Sequence, residues 1–426
     1  MKDHSLKREV LLFSGLLLLV LLIMSVMGSA YGIRMLVEAA CYSLIALGLT
    51  MQWGYAGLFN AGILGFIAVG GFMSMLFSYP VNEDFWHSDM PAQLGMVVLK
   101  AAVGIAIIYA LAKSARWGMP KRLQTPLLVI VSAIVYLMLV NILDPVTRTI
   151  ESEAGFIGGF GFPVWTGWTG WIVGGALAGT IAYFIGHICL GLRSDYLAIA
   201  TLGIAEIIKA FLKNADWLTR GILTVSPLPW PVPEPVDVGF VLARALYLSV
   251  IVCLIVVTYF LLQRALHSPW GRMMRAIRDN EISSLAMGKD VNKRRLQVFV
   301  LGSVLMGIGG AALTTFNGIF DPSGFIPLNH TFLIWVMVIL GGAGNNRGAI
   351  FGAVFVYIIW TMSEPVALVI FDLVRDLGEK WFSWQAPADL DSRALQARVF
   401  VIGLIITMVL RYAPKGLIPE KIAQHS

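Results

Sequence analysis

Glu206 and Lys209 stand three residues apart in an otherwise apolar stretch, so one helix face would carry both. Ionisable groups inside a membrane are costly unless they pair or face a cavity. This pair would either line and gate a solute path or neutralise itself as a structural pair. Asn60, Asn317, Asn345 and Asn346 lie near glycine-rich breaks, which membrane proteins tolerate inside protein or beside water-filled cavities. Asn60, Thr201, Glu206, Asn317 and Asn345 are therefore the candidates for a translocation pathway. Lys100 and Arg244 sit near predicted span ends and read as snorkelling side chains. Catalytic chemistry finds no support. No G-x-x-x-x-G-K-[ST] phosphate loop, H-E-x-x-H or G-x-S-x-G motif occurs, and Gly288-Lys289 is followed by Asp290. The six histidines are scattered, and Cys41, Cys189 and Cys253 lie in apolar stretches as packing residues. We expect no enzyme, no cofactor and no metal in this chain. Its energy source would be an ion gradient or a separate protein.

These residues must be positioned by an unusually apolar chain. Of 426 residues, 58% are hydrophobic and 13% charged, against about 25% charged in a soluble domain. Apolar stretches lie near 10–27, 35–53, 58–79, 92–112, 127–143, 169–191, 196–212, 238–262, 296–316, 328–345, 349–371 and 397–411. The pattern predicts an all-α polytopic membrane protein with about 10–12 transmembrane or half-membrane helices. The stretches at 196–212 and 328–345 are short or glycine-interrupted and are expected to be half-helices. Lys2, Lys7 and Arg8 precede the first stretch, which exceeds the usual signal-peptide core of about 7–15 residues. It reads as a retained span. With the N-terminus in the cytoplasm, alternation gathers most Lys and Arg inside and most Asp and Glu outside. Both termini then lie in the cytoplasm. The net charge of +6 thus follows membrane topology and implies no nucleic-acid partner.

Glycine is abundant at 43 residues, and Gly170–Gly174, Gly175–Gly179 and Gly348–Gly352 are small-xxx-small pairs suited to close helix contact. A weak glycine-rich similarity between 54–71 and 341–353 is what an inverted repeat would leave. Two outer connections look structured. Residues 213–236 alternate Pro227, Pro229, Pro231, Pro233 and Pro235, and residues 372–396 carry Trp381 and Trp384 as interfacial anchors.

One cytoplasmic connection, 263–295, differs from the rest. Its basic flanks enclose Asp279-Asn280-Glu281-Ile282-Ser283-Ser284-Leu285-Ala286-Met287-Gly288-Lys289. Asp279 suits a helix N-cap, Glu281 the first turn and Gly288 the end. Ile282, Leu285 and Ala286 share one face. The spacing predicts a short amphipathic helix that needs something to dock on. A positive-inside loop with an incidental helix explains the spacing equally well.

Four segments resemble a known family. Ser194-Asp195-Tyr196-Leu197-Ala198-Ile199-Ala200-Thr201-Leu202-Gly203 with Glu206-Ile207 is the first. Trp270-Gly271-Arg272, Arg275-Ala276-Ile277-Arg278-Asp279-Asn280-Glu281 and Ala286-Met287-Gly288 form the second. The others are Leu340-Gly341-Gly342-Ala343-Gly344 with Gly348 and Gly352-Ala353, and Arg411-Tyr412-Ala413-Pro414-Lys415-Gly416-Leu417. In order and spacing they resemble the permease subunits of ABC importers for branched-chain amino acids, of the LivM type. The first apolar stretch then makes 1–34 an N-terminal span, and the resemblance implies a permease domain at 35–426 whose loop 263–295 holds the coupling helix. It implies two ATPase subunits that hold ATP and magnesium, a second related permease, and an external or periplasmic binding protein. It implies a bacterial inner membrane. Ile282, Leu285, Ala286, Met287 and Gly288 would meet the ATPase, with Arg275, Arg278 and Glu281 orienting the contact.

Two stretches depart from the family pattern. Gly57 to Gly71 lacks the usual histidine, and Leu218 to Val225 replaces the usual glycine-rich motif. Both lie near the expected solute route and bear on the substrate. Relatives are also associated with urea and short amides, so the same importer type for urea, short amides or another small polar solute is an alternative. A secondary transporter coupled through Glu206 and a non-transporting scaffold are the other readings.

Overall fold

A computed structural model describes residues 2–114, 120–162, 167–382, 394 and 396–420. Among these the chain is helical, with two isolated bridges, Val81 to Gly158 and Val225 to Phe320, and no strand. The α-helices of six residues or more are α1 (Lys2–Met27), α2 (Ser29–Leu49), α3 (Ile63–Ser78), α4 (Met90–Lys113), α5 (Lys121–Thr149), α6 (Thr169–Cys189) and α7 (Ser194–Asn214). There follow α8 (Phe240–His267), α9 (Pro269–Asp279), α10 (Glu281–Ala286), α11 (Val291–Asn317), α12 (Leu333–Gly341), α13 (Asn346–Phe382) and α14 (Ala397–Tyr412). Each apolar stretch of the sequence lies largely within one of them, with 58–62 and 342–345 falling in irregular segments. Trp384 and its neighbours lie outside the described residues. Trp381 is exposed.

The half-helix expectation needs one correction. Residues 196–212 belong to α7, an uninterrupted helix of 21 residues, or about 31 Å at 1.5 Å per residue. Glu206 and Lys209 interrupt its apolar run but not its period. Leu197, Ala198, Thr201, Ala205 and Leu212 still form one buried stripe. The short elements are α3, with 16 residues, and the apolar helix Leu328–Gly341 that ends in α12.

Both short elements adjoin a broken helix. The helix that begins as α2 runs on to Tyr55, then the chain is irregular until α3 begins at Ile63. Gly342 and Gly344, with φ of +116° and +82°, separate α12 from α13. The two breaks touch, since a Cβ on Gly54 would lie 2.4 Å from the Gly344 nitrogen. Such proximity of backbones requires glycine.

At the centre lies α2, buried almost throughout and packed against α8, α11 and α13. The α3 and α11 helices approach so closely that a Cβ on Gly70 would come 1.9 Å from the Gly307 carbonyl oxygen. In contrast, α4 and α5 pack chiefly on each other, with Gly104 against Val135, and expose long apolar faces.

The loops sort to two ends. One end gathers Glu9, Gly54, α9, α10, Asn345 and the chain after α14. There Leu417 N–H donates to Leu340 O at 2.8 Å, and Arg347 pairs with Glu9 at 3.0 Å. The opposite end gathers residues near Val81, Gly158, Trp217, Val225 and Phe320, where Ile157 N–H donates to Trp217 O at 2.9 Å. The consecutive spans alternate between these ends, as the charge pattern requires.

Candidate functional site

The connection between α8 and α11 folds as two helices rather than one. Pro269 occupies the first turn of α9, where its missing N–H costs no hydrogen bond. Gly271, Met274 and Ile277 are buried at helical spacing. Asp279 ends α9 and does not cap α10, contrary to the sequence expectation. The cap is Asn280, which leaves the helical region at φ −154° and ψ 100° and accepts from Ser283 N–H at 2.9 Å. Either residue type can cap, and the backbone of Asp279 is already committed to α9. Gly288, at φ +73°, ends α10. Asp290 then caps α11 through Lys293 N–H at 3.0 Å.

A helix of six residues is not stable alone. Two anchors hold it. Glu281 accepts from both terminal nitrogens of Arg295 on α11, at 2.7 and 2.9 Å. Ser284 is buried and its hydroxyl donates to Asn280 O at 2.9 Å. With Ser284 inward, Ile282 is 80% exposed, Leu285 53% and Met287 77%. Ala286 and Gly288 are exposed beside them. An apolar patch held outward on a small anchored helix can receive another molecule.

Arg278 ties this segment to the helix breaks. Its guanidinium donates to Glu420 Oε2 at 2.9 Å, to Asp279 Oδ1 at 3.0 Å and to the Gly54 carbonyl. Arg275 lies 4.0 Å from Glu420 Oε1. Burial works against the Arg278 charge, but hydrogen bonding and the charges of Glu420 and Asp279 outweigh it and raise its pKa. Gly344 adjoins the same cluster. One arginine therefore joins α9, both breaks and the C-terminal tail. Within this chain Arg275 and Arg278 approach Glu420, and Glu281 pairs with Arg295. Glu420 was not foreseen, since it stands 142 residues from Arg278 and no local spacing links them.

The pathway candidates do not form one site. Asn60 and Thr201 are buried at the first break, where Ala61 N–H donates to Thr201 Oγ1 at 3.1 Å. Asn60 donates to Gln52 Oε1 at 2.8 Å, and Gln52 donates to Phe299 O at 2.8 Å and Ser303 Oγ at 3.0 Å. Thr201 thus satisfies a backbone N–H of the break, while Asn60 and Gln52 tie the break to α11. Asn345 caps the second break, donating to Ile418 O and Pro419 O at 3.2 Å each. Asn317 ends α11 at the opposite end, and Glu206 pairs with Lys209 at 2.9 Å, part-exposed on α7. The sequence reading missed Glu38. It is buried in α2, accepts from Arg34 Nε at 3.1 Å and from the Tyr357 hydroxyl, and borders a 560 Å³ cavity shared with Trp360, Glu364 and Arg398. The available signal was a lone carboxylate in an apolar stretch.

The profile of a family described as branched-chain amino acid transport system, permease component, matches residues 31–166 and 126–410. The chain belongs to this family. A probable branched-chain amino acid transport permease protein LivM of Methanocaldococcus jannaschii is 26% identical over 393 residues, covering 89% of this chain and 91% of that protein. The high-affinity branched-chain amino acid transport system permease proteins LivM of Escherichia coli and Salmonella typhimurium are each 25% identical. Each match covers 59% of this chain and 57% of the relative. No solved structure gives a significant match. The protein is thus a multi-pass permease component of an ABC transporter and works with partner components.

Proposed function

We propose that this chain is one permease subunit of an ATP-driven importer for branched-chain or other hydrophobic amino acids. Residues 1–34 form an added span and 35–426 the permease domain. Two ATPase subunits hold ATP and magnesium, a second related permease completes the path, and an external binding protein delivers the solute. The chain itself carries no enzymatic step and no cofactor. Both termini face the cytoplasm of a bacterial inner membrane. The solute route draws on Asn60, Thr201, Glu206, Asn317 and Asn345.

The observation that carries this reading is the outward patch of Ile282, Leu285 and Met287 on α10, seated on Arg295 and linked through Arg278 to both helix breaks. Ala286 and Gly288 complete the contact. When ATP draws the ATPases together, α9 and α10 move as one body. Arg278 and Glu420 pass that displacement to Gly54 and Gly344, and the bundle changes the side to which it opens.

The test is purification of the full complex and uptake of labelled leucine into proteoliposomes. Leu285→Glu buries a charge in the contact and is expected to abolish both ATPase co-purification and uptake. Normal uptake by Leu285→Glu, or uptake that collapses with an uncoupler while ATP is held constant, would overturn the reading.

A further inference from the structure

A groove of 1090 Å³ runs between the last turns of α6 and the first turns of α11, at the end of the bundle that carries α9 and α10. Its walls are Tyr183, Ile188, Leu296, Val300 and Leu301, and its rim carries His187, Trp270, Lys293 and Arg294. Three observations point to one kind of occupant.

The first is shape. The α11 wall extends from Asp290 to Leu301, which is about 16 Å of helix and close to half of the roughly 30 Å hydrocarbon thickness. The helices meet at Gly186, where a Cβ would lie 2.4 Å from Leu296 Cδ1, and this contact forms the floor. The second is polarity. Tyr183, Ile188 and Leu301 are exposed on membrane-spanning helices, so the groove opens toward acyl chains, while the polar groups lie at its rim. The third is charge. Among the described residues neither Lys293 nor Arg294 closes an ion pair with a carboxylate. Arg294 donates to Gln297 Oε1 at 3.1 Å, which also accepts from Trp270 Nε1 at 3.2 Å, and both cations keep free donors. The rim carboxylate of Asp290 is turned to the backbone N–H of Lys293.

We propose that this groove is a binding site for one anionic phospholipid of the leaflet at that end. The headgroup phosphate sits between Lys293 and Arg294, and one acyl chain lies along Leu296, Val300 and Leu301. Trp270 stands at headgroup level, as interfacial tryptophans do. A basic rim over an apolar interhelical groove recognises the charge and the chain together. Because Trp270 belongs to α9 and Lys293 adjoins the cap of α11, the lipid braces both ends of the segment that carries α10. Acidic lipid then supports the working conformation.

The experiment uses the complete complex, delipidated and reconstituted in nanodiscs of phosphatidylcholine with or without phosphatidylglycerol. Native mass spectrometry counts retained lipid. One phosphatidylglycerol per copy of this chain is expected to survive extraction in preference to phosphatidylcholine. Lys293→Gln with Arg294→Gln should weaken retention about 30-fold, roughly fivefold for each cation. Lys293→Arg with Arg294→Lys should retain it, which separates lost charge from lost fold. Equal retention of the two lipids, or unchanged retention in the Gln double variant, would overturn the proposal. So would a photo-crosslinker at Leu301 that captures a protein subunit in place of lipid. Competition by inorganic phosphate alone would show a headgroup site without the acyl groove and would also overturn it.

Discussion

Arg278 shows how much one side chain can connect. Its planar fork reaches a carboxylate, a backbone carbonyl and its sequence neighbour at once, a geometry that lysine cannot reproduce. The pair with Glu420 is mostly shielded, with side-chain exposures of 22% and 17%. Glu420→Gln keeps an oxygen acceptor but removes the charge, and a charge-assisted bond is worth roughly twice a neutral one, so about 1–2 kcal/mol is lost. Glu420→Gln is therefore expected to lower ATP-driven uptake by about tenfold, while the ATPases still co-purify. If Arg278 and Glu420 act as one unit, adding Arg278→Gln to Glu420→Gln lowers uptake little further. Additive losses would separate the two residues. Motif resemblance singled out Arg275, Arg278 and Glu281, because a local stretch carries all three. Glu420 and Arg295 were not legible, because their partners lie far off in sequence.

Among the elements, helix existence was legible and helix breaks were less so. Hydrophobic length announces each span, but the short, glycine-containing stretch at 196–212 read as a half-helix, which the continuous buried stripe of α7 contradicts. The actual irregularity after Tyr55 is held by Asn60, Gln52 and Thr201, a set assembled from α2, its break and α7. Packing of α3 on α11 depends on backbone contact at Gly70. A methyl there meets the Gly307 carbonyl, which cannot rotate away as a flexible side chain could. Gly70→Ala is expected to destabilise the bundle by about 1–3 kcal/mol, read as a lower melting temperature in detergent. Gly203→Ala, where a Cβ meets nothing within 4 Å, should leave it unchanged or slightly raised. Equal behaviour of the two variants would contradict the close α3–α11 contact.

For the whole molecule, alternation between two ends is the organising fact. Val236 is 91% exposed at one end, and Met287 is 77% exposed at the other. If both termini lie in the cytoplasm, as proposed, Val236→Cys should react with an impermeant maleimide in intact cells, and Met287→Cys, in chain expressed without the ATPase subunits, after permeabilisation. Cys41 and Cys189 are buried, and Cys253 lies within the membrane-spanning α8, so the native thiols give little background. The reverse labelling pattern would invert the molecule.

Composition, apolar length and the placement of Lys and Arg determined by themselves that this chain is a many-spanning helical membrane protein. The reason is that lipid leaves the backbone few alternatives to the helix, and charge bias sets its direction. Motif resemblance singled out the segment 263–295. Tertiary structure decided which side chains there face outward, since Ser284 turns in and Ile282, Leu285 and Met287 turn out. It decided that Asn280 caps α10, that Glu38 is buried beside Tyr357, and that two glycine breaks meet under Arg278. Each of these depends on contacts between residues or helices whose relative placement is set by packing, which periodicity along one helix does not encode.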